Sequence, residues 1–203
     1  MEKKIASIIS HIFHPLLMPT YLMAVLLNLH TYFALVIPSE AKWRILLLIF
    51  AITFAFPLLL TYLMLRIRMI RSFEMRSREE RVFPLITTVI FFYLAYYLIK
   101  EVNISPVYSY FSIGATLVAV IALILNFFWK ISIHMLGQGA VFGTLLGISL
   151  TFFVNIPGLL FFSVVIAGIT GYARLKLQAH KPLQVYAGFL GGAIIMLVLF
   201  LLI

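Results

Sequence analysis

Apolar runs near the length of a bilayer crossing take up most of this chain and leave little else to build a fold from. Seven can be read: Leu16–Ile37, Ile45–Leu65, Val82–Ile99, Val107–Trp129, Ile133–Val154, Leu159–Leu177 and Leu183–Ile203. Crossing the hydrocarbon core takes roughly 20 apolar residues per helix. In lipid, a spanning segment must satisfy its own backbone, as a helix does. The pattern predicts an all-α polytopic transmembrane helical bundle of about six to seven spans. It is read as a single integral membrane domain over residues 1–203, with the third span the shortest. Composition agrees: 64% of residues are hydrophobic and 10% charged, where soluble domains have about 45–50% and about 25%. The opening stretch makes a poor signal peptide, because His11, His14 and Pro15 break its apolar run and no small-residue cleavage site follows.

The connections are short, and with seven spans they alternate between two membrane faces. One face collects Lys3, Lys4, Arg66, Arg68, Arg71, Arg76, Arg78, Arg81, Lys130, Arg174, Lys176 and Lys181, against Glu2, Glu74, Glu79 and Glu80. The other holds Lys42, Arg44 and Lys100 against Glu40 and Glu101. The positive-inside rule puts the basic face in the cytoplasm, and the expected location is a bacterial inner membrane. The net charge of +9 lies between apolar runs. It therefore points to anionic headgroups or an anionic substrate rather than to nucleic acid.

The chain contains no cysteine and no aspartate. Thiolate chemistry and disulfides are excluded, as are aspartyl intramembrane proteases. Enzymes that hold Mg²⁺ on Asp-rich motifs are a poor match, and no metal site or cofactor is expected.

Three clusters on the basic face can carry chemistry. The first runs from Arg71 through Glu74, Arg76, Arg78 and Arg81 to Pro84. If helical, it puts Arg78 and Arg81 on one side and lets Glu74 pair with Arg78. The second is Lys130-Ile-Ser132-Ile-His134, at the start of the fifth span, where unpaired N–H groups and the helix dipole favour an anion. The third is Arg174-x5-His180-Lys-Pro182-x-Gln184. Pro182 fits the first helical position, Lys181 before it is biased to extended backbone, and Gln184 lies one turn on, able to reach back to the imidazole. Arg174 supplies a planar fork suited to phosphate oxygens. Gly139, Gly143 and Gly147 recur every four residues in the fifth span, as do Gly188 and Gly192 in the seventh. Such spacing permits close helix approach, and these two helices begin beside the two histidines.

Arg174-x5-His180-x3-Gln184 resembles the third signature, Ser-Arg-x5-His-x3-Asp, of the type 2 phosphatidic acid phosphatase and vanadium haloperoxidase superfamily. Ile131-Ser132-Ile133-His134 resembles its second, Pro-Ser-Gly-His. The phosphatase-like region is about residues 71–192. The resemblance implies that His180 attacks phosphorus, forming a phosphohistidine, and that His134 protonates the leaving oxygen. It implies that Ser132 and Arg174 hold phosphoryl oxygens, without a metal. For the first signature, Lys-x6-Arg-Pro, Arg71 and Arg78 have the spacing, with Glu79 in place of proline; Arg81 with Pro84 is the alternative. Ala173 replaces the serine before Arg174, Ile131 and Ile133 replace proline and glycine, and Gln184 replaces aspartate.

The expected function is a metal-independent lipid phosphate or pyrophosphate phosphatase or phosphotransferase, with membrane lipids as its surroundings. Undecaprenyl pyrophosphate, phosphatidate, phosphatidylglycerophosphate and a lipid A phosphate all fit. The alternative is a catalytically impaired member of the same fold that binds anionic lipid or a membrane partner. A transporter has no specific residue in its favour. A haem protein would need histidines at matching depth, whereas His30 lies near one face and His11, His14, His134 and His180 near the other.

Overall fold

The computed structural model describes every residue except Glu74, Arg76 and Ile203. The described residues form helices and connections, with no strand. In chain order the helices are α1 (Glu2–Ile12), α2 (Met18–Asn28), α3 (Tyr32–Leu35), α4 (Ser39–Phe50), α5 (Phe56–Arg66), α6 (Glu79–Glu101), α7 (Pro106–Phe128), α8 (Ile133–Thr151), α9 (Pro157–Lys176) and α10 (Pro182–Leu201). Seven helical runs are long and apolar enough to cross a membrane: Glu2–Asn28, Ser39–Arg66, Glu79–Glu101, Pro106–Phe128, Ile133–Thr151, Pro157–Lys176 and Pro182–Leu201. The chain is an integral, multi-pass, all-α membrane protein.

The first run departs from the sequence reading at both ends. Helix begins at Glu2, and α2 stops at Asn28 rather than continuing to Ile37. Thr31 is extended (φ −126°, ψ 153°) before the short α3. The Asn28–Thr31 stretch is the cause: Asn28 turns its amide onto the Ala24 carbonyl, and Thr31 N–H bonds back to Leu29. Within the run, the backbone leaves helical geometry at Phe13 (φ −96°, ψ 41°) and His14 (φ −65°, ψ 136°), and Pro15 restarts it as a 3₁₀ turn over Pro15–Leu17. The residue before a proline is disfavoured in helical backbone. The span Ser39–Arg66 is continuous, but it widens to a π turn over Ala51–Ala55 just before Pro57. A proline in a helix interior has no N–H for the preceding ladder, and a π turn absorbs that mismatch.

The chain divides into two compact units: Met1–Met18 with Lys130–Ile203, and Pro19–Trp129. In the second, α6 and α7 form the most extensively packed pair. Asn126 donates to the Arg78 carbonyl (2.8 Å), and Arg78 Nη1 donates to the Phe127 and Phe128 carbonyls (3.2 and 2.8 Å). The start of α6 is thereby tied to the end of α7. Small and polar side chains such as Ser112, Gly114, Thr116 and Ala122 are buried on α7. Leu117 and Ile124, on the same helix, are exposed. That inverted distribution suits a helix surrounded by lipid.

In the first unit α8 and α10 pack most extensively. A Cβ added at Gly139 would overlap the Phe189 carbonyl, one at Gly143 the Ala193 backbone, and one at Gly192 the Leu136 carbonyl. The repeated glycines are the contact itself, bringing main chain against main chain. Gly168, by contrast, has nothing within 4 Å. Gly192→Val is expected to destabilise the protein by about 3 kcal/mol or more through overpacking. Gly168→Ala should be neutral or stabilising by up to about 1 kcal/mol, as for any mid-helix glycine with free space. Thermal or denaturant unfolding in detergent checks both. Equal effects of the two substitutions would contradict the packing account.

Candidate functional site

The turn between α9 and α10 sets the position of His180. Helix α9 closes with Leu177, Gln178 and Ala179 N–H groups bonded to the Ala173, Leu175 and Arg174 carbonyls. Gln178 takes left-handed backbone (φ 53°) to reverse the chain. Lys181 is extended (φ −84°, ψ 157°), and Pro182 opens α10. Gln184, on the first turn, reaches back: its Oε1 accepts from the Lys181 N–H at 2.9 Å and lies 3.3 Å from His180 Nδ1. This is the reaching-back half of a capping box. It also sets the imidazole's proton. A backbone N–H can only donate, so the glutamine atom beside it is the oxygen. An amide oxygen can only accept, so His180 Nδ1 carries the hydrogen. In the neutral ring the lone pair is then on Nε2.

The close approach of α8 and α10 places the start of α8 against this turn. Ser132 N–H donates to the Gln184 carbonyl at 3.3 Å, and a Cβ on Gly188 would come within 2.8 Å of the Ser132 carbonyl oxygen. Ser132 is the residue before the first turn of α8, but its hydroxyl does not cap that helix. The Ser132 side chain is fully buried, and its Oγ has no hydrogen-bond partner among the described residues. His134 follows on the first turn. Its Nε2 lies 3.1 Å from the Ser10 carbonyl. A carbonyl accepts, so the hydrogen is on Nε2 and the lone pair of the neutral ring is on Nδ1.

Sequence reasoning did not assign a role to the N-terminal segment, yet it supplies part of this environment. The His14 ring meets the His134 ring edge to face, with centroids 5.6 Å apart. Leu16 N–H donates to His14 Nδ1 at 3.3 Å, which puts the His14 hydrogen on Nε2. The Arg174 guanidinium acts electrostatically on both His14 and His134, and His180 acts on His134. The His14 and His134 rings therefore meet within the first unit, with the Arg174 and His180 charges acting on His134 and Ser132 two residues before it. The available signal was His14-Pro15, a histidine at a proline-led helix start like His180 ahead of Pro182.

Arg71, Arg78 and Arg81 belong to the second unit and have local partners there. Arg71 is exposed, with its N–H on Glu80 Oε1 (3.2 Å) and its Nε 3.9 Å from the same oxygen. Arg78 caps the end of α7 as described. Arg81 is buried, and its Nε donates to the Met75 carbonyl at 3.0 Å. Helix α6 begins at Glu79 with Arg78 as its N-cap, so Arg78 and Arg81 both stand at its first turn. The expected Glu74–Arg78 pair falls on a residue outside those described. No group of three or more His, Cys, Asp or Glu that could hold a metal ion occurs among the described residues.

Comparison with models of known families, with curated proteins and with solved structures finds nothing that matches this chain.

In protein labelled with ¹⁵N-histidine, neutral His180 is expected as the Nδ1–H tautomer and neutral His134 as Nε2–H. Gln184→Met should leave His180 a mixture of tautomers. It should also cost about 1 kcal/mol of stability, the usual worth of a helix-start cap. A His180 ring that stays Nδ1–H in Gln184→Met would show that Gln184 does not set it.

Proposed function

We propose that this protein is a lipid phosphate or pyrophosphate phosphohydrolase or phosphotransferase that works through a phosphohistidine on His180, without a metal. The observation that carries the reading is the joining of the α8 start, which bears His134 and the unspent Ser132 hydroxyl, to the α10 start, where Gln184 holds His180; Arg174 stands in the last turn of α9, just before it. In this reading His180 Nε2 forms a bond to phosphorus as the bond from phosphorus to the leaving oxygen breaks. His134 gives that oxygen a proton. Nε2–H is held by the Ser10 carbonyl, so the exchanging position of His134 is Nδ1. Water or another hydroxyl then attacks phosphorus and displaces His180, and His134 Nδ1 takes the attacking group's proton. Arg174 and Ser132 hold the equatorial oxygens, where charge is greatest. We place the site on the cytoplasmic face of a bacterial inner membrane, from the excess of basic residues there.

Gln184 favours a second reading. A glutamine oxygen orients His180 but carries no charge to support an imidazolium. In a serine protease triad the equivalent neutralisation lowers turnover about 10⁴-fold. The second reading keeps the site and gives it a binding role, taking lipid phosphate without turnover.

Phosphate release by detergent-purified protein, with EDTA, across a panel of lipid phosphates and pyrophosphates separates the two. Native protein is expected to release phosphate, and His180→Ala to lose at least on the order of 10³-fold. Equal release by His180→Ala would sink the nucleophile assignment. Silence from native protein with release by Gln184→Asp would establish the binding reading on an otherwise intact site.

A further inference from the structure

Helix α1 has three distinct sides. Ala6 and Ser10 are buried, and the helix packs on α9, with Glu2 paired to Lys176 at the end of α9. Met1, Ile5, Ile8 and Ile12 recur at helical spacing on a second side, and each is half or more exposed. Lys4 and His11 are exposed on the third, with Lys3 exposed close by. Eleven residues make a helix of about 16 Å, half of what the hydrocarbon core requires, and the chain leaves helical backbone directly after it at Phe13 and His14. The run Glu2–Asn28 is long enough to cross a membrane, but its helical backbone is broken at Phe13 and His14, and an apolar stripe beside lysines on the segment before the break is the pattern of a helix that lies in the membrane surface. The lysines select anionic headgroups. The same helix presents the Ser10 carbonyl to His134.

We propose that α1 is a membrane-surface helix. Its Met1-Ile5-Ile8-Ile12 stripe enters an anionic bilayer surface, Lys3 and Lys4 meet the headgroups, and this docking holds the Ser10 carbonyl on His134. The docking stands on the helix alone. Its effect on turnover rests on the function proposed above.

The full chain has no cysteine, so Ile8→Cys takes a single environment-sensitive fluorophore. It is read in nanodiscs of phosphatidylcholine alone and of phosphatidylcholine with phosphatidylglycerol. Blue-shifted emission, quenched by labelled acyl chains, is expected with phosphatidylglycerol. Lys3→Gln with Lys4→Gln should weaken docking about 30-fold, the attraction of two lysines to an anionic surface, and high salt should act in the same direction. Aqueous emission in both lipids overturns the docking, whatever the activity. Emission that is blue-shifted equally in both lipids, with self-quenching between labelled copies, assigns the stripe to contact between chains and overturns it too. The link to the site is read from the ¹⁵N signal of His134 as well as from phosphate release. The signal is expected to lose its Nε2–H hydrogen-bond signature when docking is lost, and to keep it in the docked protein. A His134 signal unchanged by undocking overturns the link. Absence of phosphate release from native protein fails the enzymatic reading alone, because the fluorescence and the His134 signal still decide this one.

Discussion

Two helices can approach at main-chain distance only where at least one of them lacks a side chain at the contact, and α8 and α10 meet that condition over successive turns. Gly139 and Gly143 on one, and Gly188 and Gly192 on the other, put carbonyl groups where Cβ atoms would otherwise be. In lipid there is no hydrophobic drive to press helices together, so such close packing is a principal source of their affinity. Its consequence lies at the helix starts. Because the two backbones are held in contact, Ser132 N–H reaches the Gln184 carbonyl, and the residues that open α8 stand against those that open α10. The polar group around His134 depends on that register: a larger residue at any of these glycines would separate Ser132 and His134 from His180.

The two imidazoles are held in opposite tautomers by acceptors of different origin. His180 gives its Nδ1 hydrogen to a side-chain amide, and His134 gives its Nε2 hydrogen to a main-chain carbonyl. Neither acceptor is charged. Each orients its ring and fixes which nitrogen carries the hydrogen. In a low-dielectric setting a carboxylate at Gln184 would stabilise the imidazolium, at the cost of burying a further charge there. The amide avoids that burial and gives up the electrostatic support.

The spans were legible because hydrocarbon thickness sets their length, and the glycine repeats because their spacing has one geometric meaning. The first span misled. Leu16–Ile37 reads as one apolar run, yet the Asn28 side chain and the Thr31 N–H bond locally and the helix ends. Helix α1 escaped because its apolar residues are interleaved with Lys3, Lys4 and His11, so no window of span length is apolar from its start. Within the site, Gln184 could be placed from its three-residue offset to Lys181. Ser10 and His14 could not, because their approach to His134 is a tertiary contact more than a hundred residues away in the chain, with no local signature. The arginine cluster was readable as basic and no further. Its partners, the carbonyls at the end of α7 for Arg78 and that of Met75 for Arg81, follow from packing.

The hydroxyl groups locate the strain. Along the membrane helices, Thr53, Thr61, Thr87, Thr88, Ser112, Thr116 and Thr144 each donate to the carbonyl four residues back. This is the ordinary way to hide a hydroxyl in lipid. Ser10, Ser132 and Thr170, all buried in the first unit, do not. Thr20 and Thr31 in the second unit share that condition. Ser10 and Ser132 bracket His134, one by its carbonyl bond and the other by sequence, and Thr170 precedes Arg174 by one helical turn. A buried hydroxyl left unpaired costs about 1–3 kcal/mol, and a helical carbonyl four residues back would have been the simplest remedy for Thr170. A ligand rich in acceptor oxygens, entering beside His134, would satisfy such hydroxyls. In the function proposed above a phosphate is that ligand, where an apolar or cationic one would leave the hydroxyls unpaired.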